Sequence, residues 1–190
     1  METTATVEVL VGMIASGKST YARSRADAGA LVVCHDDLTA MLHKEYRYEQ
    51  GLRECYRRME ESIAWAALNA GRDVVVDRTH LTRESRHRWV RWARNYNSLQ
   101  TFDGRGPRTR VVAVFFPVGD PRYHAELRTR DDPRGRTFED WLMVATHHYE
   151  QWVKEPLLDG DHEGFDEVVK TAAPPGFNFP VARPFLTRRP

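Results

Sequence analysis

Apolar residues along this chain fall into two alternating patterns. Short, nearly unbroken runs occupy 7–11, 31–34, 74–76 and 111–116, with a weaker run at 167–170. Runs of this length without strict alternation read as strands buried on both faces. Between them apolar residues recur every three or four positions. Leu52, Tyr56, Met59, Ile63, Ala66 and Ala70 trace the inward stripe of a long amphipathic helix after Tyr46. Thr82 suits the N-cap of a helix running from Arg83 to about Asn95, with Trp89, Trp92 or Ala93, and Tyr96 on one face. Asp120 is placed to cap a helix opening at Pro121, a residue suited to the first turn. Phe138, Trp141, Leu142, Ala145, His148 and Trp152 mark a last helix, ended by Pro156. Strands alternating with helices predict an α/β fold: a central parallel sheet of about five strands with helices on both faces. In such folds ligands bind beyond the carboxyl ends of the strands.

Composition narrows this picture only a little. The 190 residues, 41% hydrophobic and 29% charged, suit one domain with a substantial core. We place that domain at 1–173, followed by a tail at 174–190 carrying five prolines and Arg183, Arg188 and Arg189. No apolar run is long enough for a membrane-spanning helix, the first residues lack the pattern of a secretory leader, and Cys34 and Cys55 are too few for a disulfide framework. A reducing cytoplasm is the expected setting. The net charge of +1 predicts no partner, but its distribution is uneven. Residues 72–110 hold ten arginines against Asp73, Asp77, Glu84 and Asp103, interleaved with Trp89, Trp92, Tyr96 and Phe102. Arginines among aromatics suit a polyanion such as nucleic acid. The competing reading makes the aromatics a buried helix face and the arginines its solvated one.

Candidate chemistry follows the strands. After the first comes Gly12-Met13-Ile14-Ala15-Ser16-Gly17-Lys18-Ser19, a full match to G-x-x-x-x-G-K-[ST], leading into a helix-compatible stretch at 20–25. Its glycines let the backbone curl so that N–H groups face a β-phosphate; Lys18 reaches the β/γ-oxygens and Ser19 holds Mg²⁺. The chain is therefore expected to bind a nucleoside triphosphate. After the second strand, Asp36 is a candidate general base, and Asp37 a cap for the helix at 38–44 or a supporting acid. After the third, Asp77 is placed to orient the Mg²⁺ shell, or else to organise its loop. Arg128, Arg130, Arg134 and Arg136, broken by Pro133 and Gly135, read as a lid over the triphosphate or as a solvated charged loop. The acidic turn at 159–164 lacks the closing glutamate of a calcium loop, and His147-His148 has no third ligand in sequence, so neither predicts a metal site.

In order and spacing these pieces resemble the kinase domain of the phage-type 5′-hydroxyl polynucleotide kinases. The likeness runs from about Val7 to Trp152 and rests on the phosphate loop, the Asp36-Asp37 pair, Asp77-Arg78-Thr79-His80-Leu81 and the Arg130-x₃-Arg134-Gly135 lid. It implies a P-loop kinase fold using ATP and Mg²⁺. Gly12, Ala15, Ser16, Gly17, Lys18, Ser19 and Thr20 would cradle the nucleotide, with Arg130 and Arg134 closing over it. Asp36 would act as base, Ser19 and Asp77 would hold the metal, and Lys18 and Arg134 would neutralise developing charge. One departure bears on the acceptor. Where the family places an arginine three residues after the base, this chain has Thr39; Arg78 replaces it, or the acceptor lacks the phosphate that arginine holds. Asp37, Thr39 and Arg78 are thus the acceptor-side candidates. The leading expectation is phosphoryl transfer to a nucleic-acid hydroxyl, a 5′ end above all. The alternatives are the same chemistry on a hydroxymethylated base, a nucleoside, a tRNA-borne group or a small metabolite, and a partner-regulated ATPase module.

Overall fold

The computed structural model describes residues 5–102, 109–132, 134–157 and 162–172. The predicted loop at 104–107 and the tail from Pro174 lie outside them. All five expected strands form: β1 Thr6–Val11, β2 Leu31–Cys34, β3 Val74–Asp77, β4 Arg110–Phe115 and β5 Glu167–Lys170. They make one parallel sheet in the order β2-β3-β1-β4-β5. Six α-helices appear among the described residues: α1 Lys18–Asp27, α2 His35–His43, α3 Arg53–Asn69, α4 Arg83–Phe102, α5 Pro121–Arg130 and α6 Phe138–Lys154.

Strand residues divide by parity between the two faces. Val7, Val9, Val11, Val33, Val74, Val76, Val111 and Ala113 pack against α3 and α4 through Ala64, Ala67, Leu68, Trp89, Val90, Ala93 and Tyr96. Leu10, Val75, Val112 and Val114 face the other way, toward Ala22 of α1. A third cluster of Met13, Leu81, Ala125, Trp141 and Ala145 seats α5 and α6 beside the carboxyl end of the sheet.

Side-chain caps start three of the six helices. The Thr82 hydroxyl accepts from the Ser85 N–H (3.3 Å), and the Asp120 carboxylate from the Arg122 N–H (2.7 Å) ahead of Pro121. Thr137 and Asp140 form a reciprocal capping box at the start of α6.

Three expectations need correction. First, α2 begins at His35, with Cys34 as its N-cap and no side-chain cap bond, so Asp37 caps nothing and lies inside the first turn. Second, α4 continues seven residues past Asn95, to Phe102. Third, α3 is rotated from the predicted stripe. It buries Tyr56, Glu60, Ala64, Ala67 and Leu68, leaving Leu52 and Ile63 exposed at 38% and 39% and Ala66 and Ala70 on the outside. Small residues at 64 and 67 let the helix approach the sheet, and Glu60 is drawn inward by His35, Arg78 and Arg88.

Candidate active site

The phosphate loop leaves β1 at the centre of the sheet. Gly12 donates its N–H to the Thr79 carbonyl (2.9 Å) and crosses so close to Phe116 that a Cβ there would lie 2.9 Å from the Phe116 Cβ. Gly17, N-cap of α1, sits at φ 94°, which a side chain would strain, and Ala15 is itself held at φ 50°. The Lys18 side chain folds back under the loop. Its Nζ donates to the Met13 carbonyl and to Ser16 Oγ (3.3 Å). Burial pushes its ammonium down to about 8; the carboxylates of Asp77 and Asp36 oppose the fall, and Arg128 adds to it.

Sheet register brings the two acidic turns together. Cys34 pairs with Asp77 across β2 and β3, so Asp36 and Asp77 leave the sheet at one level. Asp77 is 9% exposed; burial raises its carboxyl, and a hydrogen bond with the Ser19 side chain and the charge of Lys18 resist the rise. A buried carboxylate joined to a hydroxyl beside a phosphate loop is an all-oxygen donor pair, which suits a hard cation such as Mg²⁺. Asp36 is more open, its side chain 48% exposed, and accepts from Arg134 Nη2 at 2.6 Å.

Arg134 arrives from the connection between α5 and α6, where the arginine-rich lid was expected. Its guanidinium also stacks on Tyr46, 3.6 Å from the ring centroid. Asp132 shapes this connection by accepting from the N–H groups of Arg134 (3.0 Å) and Arg136 (2.7 Å) and from Trp141 Nε1 (3.0 Å). Arg128 and Arg136 lie against the Trp141 ring at 5.0 and 4.9 Å. The structure thus gathers Lys18, Ser19, Asp36, Asp77 and Arg134. Arg130 lies exposed at the end of α5, and Arg128, one half-turn earlier, is the one within electrostatic reach of Lys18.

The acceptor-side candidates separate. Asp37 is exposed. Thr39 is fully buried, its hydroxyl donating to the Asp36 carbonyl (2.9 Å), so it presents nothing to a substrate in this conformation. Arg78 is partly exposed and donates to Glu60 (3.0 Å).

Glu60 is a residue that sequence reasoning missed. Fully buried, it accepts from His35 (2.7 Å), Arg78 and Arg88 and thereby joins the turn bearing Asp36 to the one bearing Asp77. Burial alone would raise its carboxyl, but these donors outweigh burial and hold it at about 2. Arg86, also fully buried, donates to both oxygens of Glu163 (2.7 and 2.8 Å) and to the carbonyls of Leu81 (2.7 Å) and Glu155 (2.9 Å). It fixes the turn after β3 to the end of α6. Its position three residues before Trp89, on the buried stripe of α4, was the available signal. The polyanion reading of 72–110 changes accordingly. Trp89 and Tyr96 are core residues, and Arg78, Arg86 and Arg88 are paired with acids.

A phosphate loop at the centre of a five-stranded parallel sheet, with helices on both faces, defines a P-loop kinase-type fold. The chain belongs to the AAA domain family AAA_33, which matches residues 7–152. Solved structures share the fold at low identity. A chain of the Pnkp1/Rnl/Hen1 RNA repair complex is 19% identical with a TM-score of 0.58, over 80% of this chain and 47% of that one. A fungal RNA kinase is 14% identical with a TM-score of 0.54, over 90% of this chain and 39% of its own. Kti12 from Chaetomium thermophilum, in complex with ADP-AlF3, is 17% identical with a TM-score of 0.54, over 87% and 88%. The chain spans less than half the length of the first two. No curated protein matches it by sequence. Among the described residues, no helix is long and apolar enough to cross a membrane.

Proposed function

We propose that this protein is an ATP- and Mg²⁺-dependent kinase that transfers the γ-phosphate to a hydroxyl of a nucleic acid, a 5′ end in the first place, as the phage-type polynucleotide kinases do. The observation that supports this reading is the Arg134–Asp36 contact at 2.6 Å, with Asp36 within electrostatic reach of Lys18 in the phosphate loop. Lys18 and the loop amides grip the β- and γ-phosphates. Arg134 exchanges the carboxylate for the γ-phosphate when ATP enters, leaving Asp36 free to accept a proton. The acceptor oxygen bonds to the γ-phosphorus as the bond to the β–γ bridging oxygen breaks. The acceptor proton passes to Asp36, and ADP leaves. Ser19 and Asp77 would hold Mg²⁺, which when bound would neutralise phosphate charge. A fungal RNA kinase and a chain of an RNA repair complex, among the proteins of like fold, support a nucleic-acid acceptor.

Replacing Asp36 by Asn tests the assignment. Transfer is expected to fall by about 10²-fold or more, the ordinary worth of a positioned base, while ATP affinity stays within a few-fold. Wild-type turnover by that variant removes Asp36 from the mechanism. Buried Thr39, standing where the resembling family has an arginine, favours a second reading: the same transfer to a phosphate-free acceptor. Under it, excess single-stranded oligonucleotide neither accepts phosphate nor inhibits.

A further inference from the structure

A second cluster of arginines lies beside the phosphate loop, apart from the lid arginines. Arg53 and Arg57 of α3, Arg78 after β3 and Arg88 of α4 line a cavity of about 170 Å³ that also exposes Thr82 and Ser85. It opens at the turn whose Thr79 carbonyl holds Gly12, so it begins where the phosphate loop begins. His35, next to Asp36, bonds to Glu60, and Glu60 bonds to Arg78 on the cavity wall. The candidate base and the cavity are therefore parts of one rigid network.

Charge in this cavity is unevenly answered. The buried carboxylate of Glu60 serves Arg78 and Arg88, and Glu61 lies 3.3 Å from Arg88. Among the described residues, Arg57 has only the outlying Glu84 (3.6 Å) and Glu54 (3.9 Å), each about 70% exposed. Arg53 is exposed, with no acid in ion-pair range among the described residues. Among the described residues, no carboxylate lines the cavity itself. Guanidiniums from three elements converging on hydroxyls at a helix N-terminus are chemistry suited to a phosphate. Nearby Tyr48, 38% exposed and packed against His35 and Tyr56, offers a ring face within electrostatic reach of Arg78. An aromatic face beside a phosphate site suits a nucleotide better than a bare sugar.

We propose that this cavity is the acceptor-phosphate site: it holds a backbone phosphate of the polynucleotide whose hydroxyl is delivered to Asp36. The proposal rests on the kinase reading above and makes Arg53 and Arg57, with Arg78 and Arg88, specificity-determining residues. It accounts for Thr39: the arginine missing from α2 is replaced by a group on α3 and α4.

The test separates binding from transfer. Fluorescence anisotropy of a single-stranded 5′-hydroxyl oligonucleotide is measured across a salt series for the wild type, the double variant R53A/R57A and the surface charge reversal R53E. The double variant is expected to bind about tenfold or more weakly, with the log–log salt slope shallower by about 0.7 for each phosphate no longer neutralised. R53E, a single surface change, is expected to weaken binding in the same direction. Wild-type affinity and slope in both variants overturn the site. Label transfer from γ-labelled ATP is then followed with a nucleoside and its 3′-phosphate as acceptors. The phosphorylated acceptor is expected to be preferred about 100-fold in kcat/KM, and R53A/R57A to raise its KM while leaving that of the nucleoside unchanged. Equal use of both acceptors overturns the site and leaves the kinase standing. Arginine-dependent binding with no transfer to any acceptor overturns the kinase and leaves the site.

Discussion

Lys18 shows how burial tunes a phosphate-binding group. Its ammonium is pushed down to about 8 by burial, against the pull of Asp77 and Asp36, with Arg128 reinforcing the effect. A bound triphosphate favours the charged form. ATP binding above pH 8 must therefore be accompanied by proton uptake. We expect ATP affinity to be nearly constant between pH 7 and about 8 and then to weaken by up to about tenfold per pH unit. Calorimetry in buffers of different ionisation enthalpy reads the proton directly. Constant affinity up to about pH 9.5, without proton uptake, contradicts the assignment. The convergence of Lys18, Ser19, Asp36 and Asp77 was legible in the sequence because each follows a strand of one parallel sheet. Tyr46 and Asp132 were not. The stacking of Tyr46 under Arg134 joins residues on separate elements, and Asp132 does its work through backbone N–H groups that no motif records.

At the scale of elements, α3 is the instructive case. Cys55, Met59 and Ile63 face outward along a shallow groove of about 600 Å³, while the inward stripe contains a carboxylate. Periodicity weighs each residue by its own hydropathy and so assigns a glutamate to solvent; partners from α2, β3 and α4 reverse the assignment. The same blindness applied to Arg86 of α4. The strand runs and the caps at Thr82 and Asp120, which depend on neighbours in sequence, were read correctly, whereas the cap expected at Asp37 was not. Glu60 has a measurable signature. Its carboxyl is held at about 2 against an ordinary 4.5, so between these values the unfolded chain binds more protons than the folded one. The stabilisation is complete above pH 4.5 and disappears as pH falls toward 2, about 3 kcal/mol in all. Glu60→Gln is expected to be less stable than the wild type at pH 7 in urea unfolding, with the gap closing below pH 4.5. A gap independent of pH places Glu60 outside the ionic network.

For the whole molecule, sheet order is what makes the site. Placing β1 between β3 and β4 sets the phosphate loop at the centre, and β2 beside β3 sets the Asp36 turn level with Asp77. Parallel pairing and layer architecture followed from the alternation of runs. Strand order, which decides which turns adjoin, is not written in any single run. The resemblance to polynucleotide kinases anticipated the neighbours of the loop but not the arginines of α3 and α4, because these lie outside its motifs. The phosphate loop and the arginine-lined cavity thus occupy adjoining parts of one sheet end, joined through Glu60. The decisive measurement is transfer of label from γ-labelled ATP to two oligonucleotides of one sequence, with a free or a blocked 5′-hydroxyl. Mg²⁺-dependent label is expected on the free 5′ end and none on the blocked strand. ATP turnover without label on the free end, or equal labelling of both strands, would contradict a kinase of 5′-hydroxyl ends.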